Sequence, residues 1–343
     1  MRTVDFRYQV LRNNVPYTHM QAVGTPTVRF QRSAVITRSF AGTFARPEKP
    51  VNWFTDRIRP QMWLDGQWHN LGVFVVSSAT ENYANGVSKL NIQAMDRALL
   101  VKQVSTEGIL HLSAGEGYLD VIKRLLAEVG VTGVLADENN DVLATDREDW
   151  NEGTSYITIV NALLSEIAFS PLWFDAAGYA RLTRYVEPSA AAVDHVYRSD
   201  NSSIIAPECT IAQDIYNPAN VFKVVVSNAE LETPMTAISE NNSLTSPISI
   251  PSLGRRILAP IVRLDNIASQ EALQAYADRL RLESQMADEK ITFTTANVPV
   301  HSCGDIVALT HERLQGIYQE TDWTMQLAYS GKMTHKAKRI LYL

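Results

Sequence analysis

The amino-acid sequence predicts a mainly-β α+β protein, with a β-rich segment at each end and a small α/β module inserted between them. Three observations carry this. Residues 53–95 hold three runs of alternating or bulky β-forming residues, joined at Asp65-Gly66 and Asn85-Gly86. Both dipeptides suit a two-residue hairpin turn, whose central residues need positive φ and whose twist matches the strands it joins. At residue 113 the apolar residues change from strand to helical intervals. Strand-like sequence then resumes at residue 203, and the tail again carries a Trp in a long strand, Trp323 echoing Trp68, a hint that one β-fold is used twice.

Taken in order, residues 3–11 place Val4, Phe6, Tyr8 and Val10 on one face and Asp5, Arg7 and Gln9 on the other. Such a period of two marks a half-buried strand. Further strands fall near 27–30 and 34–40, before Gly42, Pro47 and Pro50 end regular structure ahead of the meander. The first hundred residues therefore hold about six strands and no helix, which favours a small sandwich or barrel. Ser113 stands three before Glu116 in capping-box spacing, and Leu119, Ile122, Leu125, Leu126 and Val129 follow as one helix up to Gly130. A second helix spans about 155–168, with Ile157, Val160, Leu164 and Ile167 on one stripe. A short hairpin turning at Asp175 to Gly178 completes the module.

The division expected is a first β-domain over 1–105, the α/β module over 106–186, a connector over 187–202, and a second β-domain over 203–343 with one helix at about 269–286. Within the last, 220–228 reads as a strand, Ser269 caps the helix, and strands fall near 291–295, 305–310, 317–328 and 333–342. Residues 230–256 read as a long loop rich in Ser, Thr, Asn and Pro, with even odds of being a partner contact or a strap over its own domain. The basic segment "KMTHKAKR" reads as a solvated edge strand whose lysines discourage further pairing.

Composition narrows the function. Hydrophobic residues make up 45% and charged residues 20% of the 343, and no run approaches the roughly 20 apolar residues of a membrane helix. The opening residues lack a hydrophobic signal core, so synthesis in a cytoplasm is expected. A net charge of −6 without a basic stripe argues against a dedicated nucleic-acid binder. Cys209 and Cys303, far apart and outside any CxxC, argue against a cysteine zinc site or a disulfide framework and read as reduced thiols.

Sites of chemistry are weighed against simpler readings. Asp137, Asn139, Asp141 and Glu148 occupy calcium-loop positions, but Val142 stands where that loop needs glycine, so a solvated acidic loop is preferred. His301 and Cys303 could face one side of a strand as half a metal site, yet no third ligand stands at a telling spacing. His19, His69, His111, His195, His311 and His335 are scattered. GxSxG, HExxH, P-loop and GxGxxG signatures are all lacking. No residue is assigned a catalytic, cofactor-binding or metal-binding role, and no cofactor is expected.

The strings "RSFAGTFARPEKPVNWFTDRIRPQMWLDGQWHNLGVFVVSSA" with "AMDRALLVKQ", "GTSYITIVNALLSEIAFSPLWFDAAGYARL" and "DIYNPANVFKVVVSN" with "NNSLTSPISIPSLGRR" resemble the tail or baseplate hub proteins of phages, prophages and phage-tail-like bacteriocins. The resemblance spans nearly the whole chain. It implies two tail-tube-like β-barrels in one chain, separated by α/β material, and a homotrimer whose six barrels match a sixfold tail tube on one side and a threefold spike on the other. The partners implied are a second and third copy of the chain, a tail tube or distal tail protein, a spike protein and a tape measure protein. DNA would pass through the lumen only, the chain would insert in no membrane, and its place would be the virion tail, assembled in the bacterial host cytoplasm.

Two other classes compete with a structural hub. A tail-associated cell-wall or carbohydrate-cleaving enzyme needs a carboxylate pair, and Asp149 with Glu152 beside Trp150 is the nearest candidate among 37 acidic residues. A receptor-binding tail tip needs exposed aromatic residues on a terminal domain, whereas here the aromatics lie within strands and helices.

Overall fold

A computed structural model describes residues 3–84, 86–189, 192–213, 218–226, 235–264, 266–285, 289–311 and 314–340. The opening segment forms β1 (Val4–Arg12), β2 (Val15–Met20), β3 (Thr27–Gln31), β4 (Arg38–Ala45), β5 (Arg57–Leu64), β6 (Gln67–Asn70), β7 (Phe74–Ala84) and β8 (Val87–Asp96). Asp65 and Gly66 take φ of 50° and 87°, the positive values that the hairpin between β5 and β6 requires. At the β7–β8 turn Gly86 has φ 77°, and Asn85 lies outside the described residues. The strand expected at 34–40 begins later, at Arg38, because 32–37 form the turn out of β3. β2 was not foreseen; it follows β1 through Asn13 and Asn14, both at positive φ, and Pro16 suits its edge position.

The first hundred residues also hold a helix, contrary to expectation. It is α1 (Ala98–Gln103), only six residues long, burying Ala98 and Val101. That length is too short to display a helical period in sequence. The module that follows comprises β9 (Leu110–Leu112), α2 (Tyr118–Glu128), β10 (Val134–Ala136), β11 (Arg147–Trp150), α3 (Tyr156–Glu166), β12 (Trp173–Phe174) and β13 (Ala180–Leu182). Ser113 and Glu116 do bond, the Ser113 N–H donating to Glu116 Oε1 at 2.8 Å, but the helix starts after them, behind Gly117. Val121, Ile122, Leu125 and Leu126 of α2 meet Ile159, Val160, Leu163 and Leu164 of α3 in one core with Phe169 and Phe174. Each such side chain stabilises by about 1.5–3 kcal/mol on burial.

The remaining elements are β14 (His195–Arg198), β15 (Ile205–Gln213), β16 (Val221–Val226), β17 (Met235–Glu240), α4 (Ile250–Leu253), β18 (Val262–Leu264), α5 (Gln270–Gln285), β19 (Glu289–Ala296), β20 (Ile306–His311), β21 (Leu314–Gln326) and β22 (Lys332–Arg339). The Ser269 hydroxyl accepts the Ala272 N–H and caps α5 as read from sequence; the expected end at 286 lies outside the described residues. Three expectations need correction. The connector at 187–202 contains β14, a four-residue strand held by parallel pairing with β20 and too short to show alternation. The long loop at 230–256 contains β17 and α4, while 230–234 lie outside the described residues. Buried Asn220 ties its end to its own body, donating to Ile248 and Arg255 carbonyls and accepting from the Ile257 N–H, as a strap does. Finally, "KMTHKAKR" is no edge: β22 lies between β19 and β21, with Met333, His335 and Ala337 inward and its lysines on the opposite face.

The protein is mainly β. One large sheet runs β15-β19-β22-β21-β3-β4-β8-β7-β5-β1-β2, with β20, β14 and β6 as branches. The strands of both ends meet where β21 pairs with β3, placing Trp323 opposite Phe30. Trp323, Met325 and Met333 of the tail therefore share a core with Phe30, Phe40, Phe44 and Phe74 of the opening segment. Among the described residues the sheet is open at β15, while at its other end the residues that follow β2 bridge back to β4, Ala22 opposite Phe44, and curl the opening strands round on themselves. A small sheet, β17-β16-β18, packs against Leu273 and Ala277 of α5.

Candidate assembly surface and a buried histidine cluster

The most available backbone of the large sheet lies on β15, which pairs only with β19 among the described residues, and on the start of β2. Past its end β2 is covered by β4, the Ala45 N–H donating to the Gln21 carbonyl and the Val23 N–H to that of Thr43. Exposed apolar side chains lie on both: Val15 is 63% exposed on β2 and Ile211 is 51% exposed on β15. On its paired side β15 is irregular between Ile205 and Cys209, where Pro207 interrupts the ladder with β19, and regular from Cys209 to Gln213. Where the α/β module leans over the outer face of β15, β19, β22 and β21, a cleft of about 990 Å³ opens. Its basic side chains, Arg32, Arg184, Arg279, Lys290, Lys336 and Lys338, outnumber the carboxylates of Asp137, Glu283 and Asp322. The lysines that read from sequence as edge protection instead make this wall positive.

Opposite that wall, the inward face of the same strands holds a polar cluster. Glu320 on β21 and His335 on β22 have wholly buried side chains, as has His301 in the loop before β20. The Glu320 carboxylate faces both imidazoles, Oε2 lying 2.7 Å from His301 Nδ1 and Oε1 lying 2.5 Å from His335 Nδ1. The outer nitrogens are also held: His301 Nε2 lies 2.6 Å from the Tyr197 hydroxyl and His335 Nε2 lies 2.9 Å from Thr295 Oγ1. His195 stacks on His301 with centroids 3.9 Å apart and meets Asp305 Oδ2 at 2.9 Å. Burial raises the Glu320 pKa, but the hydrogen bonds from both histidines outweigh it and leave it below the usual carboxylate range. Burial also lowers His335, which keeps that imidazole neutral near pH 7.

The residues weighed in the sequence are placed as follows. Asp137 accepts the Arg184 N–H and Asn139 and Asp141 bond each other on an exposed loop, while Glu148, on β11, meets His111 of β9. Asp149 is taken up by Arg147 and Asn266, while Trp150 is buried in the module core with the Arg147 guanidinium 5.0 Å from its ring. An aromatic platform beside two open carboxylates, which would recommend Asp149 and Glu152, is thus not formed. His301 and Cys303 do not share a strand face, because 297–305 form a loop turning at Gly304, φ 75°. Cys303 lines the cleft, and Cys209 and Cys303 are both free thiols. The partners His301 does have, Glu320 and His335, were missed. The available signal was a His at the inward phase of β22, between Met333 and Ala337.

No protein-family model matches the chain, and no curated protein matches it. Solved structures do match over nearly the whole of this chain. A tail protein from Neisseria meningitidis MC58 superposes with a TM-score of 0.68 at 13% identity, covering 97% of this chain and 96% of that one. The 43 kDa tail protein of prophage MuSo2 from Shewanella oneidensis gives 0.64 at 11% identity, covering 97% and 98%. The c3393 protein of E. coli, a type VI secretion component described as similar to the T4 bacteriophage tail proteins gp27 and gp5, gives 0.52 at 12%, covering 98% and 77%. From end to end, the chain has the fold of phage tail proteins.

Proposed function

We propose that this chain is a structural hub of a phage or phage-like tail, three copies of which close into a ring joining a sixfold tail tube to a threefold spike. The observation that carries this reading is the single sheet built from both β-rich ends, unpaired along β15 on one side and along the start of β2, before it turns onto β4, on the other. A surface with two different free edges pairs head to tail, and a head-to-tail contact closes into a ring when the rotation per copy divides the circle. Three chains with two β-modules each present six modules to the tube and three equivalent positions to the spike. The division at 1–105, 106–186, 187–202 and 203–343 then separates ring-forming modules from the outer α/β module. The basic cleft suits an acidic loop of a neighbouring tube, distal tail or tape measure component, and DNA passes the lumen without being held. The place of action is the virion tail.

Sedimentation and electron microscopy of the full chain test this. A threefold ring is expected at micromolar concentration, and Ile211→Lys or Val15→Lys should release monomers without lowering thermal stability. A chain that stays monomeric throughout that range, or a trimer that both variants leave intact, overturns the edge-to-edge reading.

A further inference from the structure

The His301–Glu320–His335 cluster has the build of a metal centre. Its hydrogen bookkeeping shows why. The Thr295 hydroxyl donates its one hydrogen to the Ala296 carbonyl at 2.8 Å, so toward His335 Nε2 the Thr295 oxygen acts as acceptor. His335 Nε2 is then the donor toward Thr295, and Nδ1 is the ring nitrogen turned to Glu320, 2.5 Å away, in a site where neither side chain reaches water. A proton fills that contact as a hydrogen bond between Nδ1 and the carboxylate, and a metal ion would take the same place by displacing it. His301 repeats the arrangement on the other carboxylate oxygen, with its Nε2 against the Tyr197 hydroxyl.

We propose that His301 Nδ1, His335 Nδ1 and the two oxygens of Glu320 form a closed structural site for a divalent transition-metal ion of the zinc type. Imidazole nitrogen and carboxylate oxygen are the donors such ions take. The donor atoms already lie within 4.8 Å of one another. Ligand bonds of about 2.0–2.2 Å separate neighbouring donors by roughly 3.3 Å, so the present 2.7 and 2.5 Å gaps need open by less than about 1 Å. The outer contacts follow the rule that a ligating histidine donates its other N–H to an oxygen, here Tyr197 and Thr295. Asp305, 3.8 Å from His301 Nδ1 and bonded to His195, adds negative charge beside the site. The ligands come from β21, β22 and the 297–305 loop, and their oxygen partners from β14 and β19. One ion would thus pin five segments of the tail half, which makes its role structural; the open position of a catalytic metal is not formed.

The test uses the full chain. Purified without chelator, it is measured for metal content, then stripped, refolded and titrated with zinc alone, and separately with cobalt followed by visible absorption. The expected result is one ion per chain, a tetrahedral cobalt spectrum, and a Tm raised by about 5 °C or more at saturating zinc. Glu320→Gln, close in shape, and His335→Gln should each reduce the bound metal more than tenfold and abolish the zinc-dependent rise. If either variant fails to fold, the wild-type stoichiometry and cobalt spectrum decide. A wild-type chain that binds no zinc, gains no Tm from it, or shares its stoichiometry with a folded Glu320→Gln variant overturns the proposal.

Discussion

Trp323→Ala tests whether the two β-rich ends fold as one body. The indole is 2% exposed, stacks on Phe30 with centroids 5.8 Å apart, and lies beneath Arg38, whose guanidinium is 5.5 Å from the ring. A buried aromatic of this size removes about 200 Å² from water, worth roughly 5 kcal/mol at 25 cal/mol per Å², of which Ala retains a small part. Against that, Trp323 Nε1 is buried without a partner among the described residues, and removing it relieves about 1–2 kcal/mol of desolvation. The net loss expected is about 3 kcal/mol, at the lower end of aromatic truncations in cores. For a chain of 343 residues unfolding as one body, this corresponds in calorimetry to a fall in Tm of roughly 4 °C. Trp323→Phe, which keeps most of the ring and deletes the orphan N–H, should cost under about 1.5 kcal/mol. Hydrogen exchange carries the decisive reading, because the residue sits in a core shared by β3, β4, β8 and β21. Exchange should quicken on both sides of the seam. Loss of protection confined to β20–β22, with β3, β4 and β8 unchanged, would refute the single-body account.

Two further expectations concern local geometry and pH. A Cβ at Gly331 would lie 2.0 Å from the Gln326 carbonyl oxygen and 2.8 Å from that of Ala328, both backbone atoms that cannot rotate away. Gly331→Ala should therefore cost about 3 kcal/mol or more. Gly66→Ala has open space and only its φ of 87° to oppose it, so denaturant midpoints should show about 1–2 kcal/mol. Asp56, 1% exposed, is held below the usual carboxylate range by hydrogen bonds from the Arg12 guanidinium and then from the Asn52 N–H. A depressed carboxyl stabilises the fold above its unfolded pKa of about 3.9, and that contribution fades as pH falls through the folded value. Asp56→Asn should thus melt lower than wild type at pH 7, and the gap should close below about pH 4. A gap that persists unchanged in acid would remove the ion pair as its cause.

What the sequence disclosed follows the range of the interactions involved. Turns and helices are local, and Asp65-Gly66, Ser269 and the apolar stripe of α2 were legible because neighbouring residues decide them. The pairing of β3 with β21 joins residues about three hundred positions apart, and nothing in either strand names its partner. For that reason two separate barrels were expected, and the continuous sheet that joins the strands of both ends was not. The lysines of β22 misled for a related cause: they signal a polar face, and a polar face belongs to an edge strand or to a central strand beneath a cleft alike. The histidine cluster was hidden in the same way. His301 was singled out with Cys303, its neighbour in sequence, while its partners Glu320 and His335 arrive from two strands of the folded sheet.

The seam also bears on assembly. A ring of three chains presents six equivalent modules only if the two modules of each chain keep one fixed angle, since an error in that angle is repeated at every copy and prevents closure. Modules on a flexible tether would leave the angle free. Here the ladder from Asp322↔Gln31 to Gln326↔Thr27, backed by Trp323 against Phe30, fixes it through backbone pairing and a shared core. It follows that loosening the seam should weaken the ring although neither outer edge is touched. At a temperature where Trp323→Ala is still folded, the proposed trimer should dissociate at lower dilution in the variant than in wild type. Equal dissociation constants would mean that β2 and β15 set closure by themselves, and that the joined sheet serves stability alone.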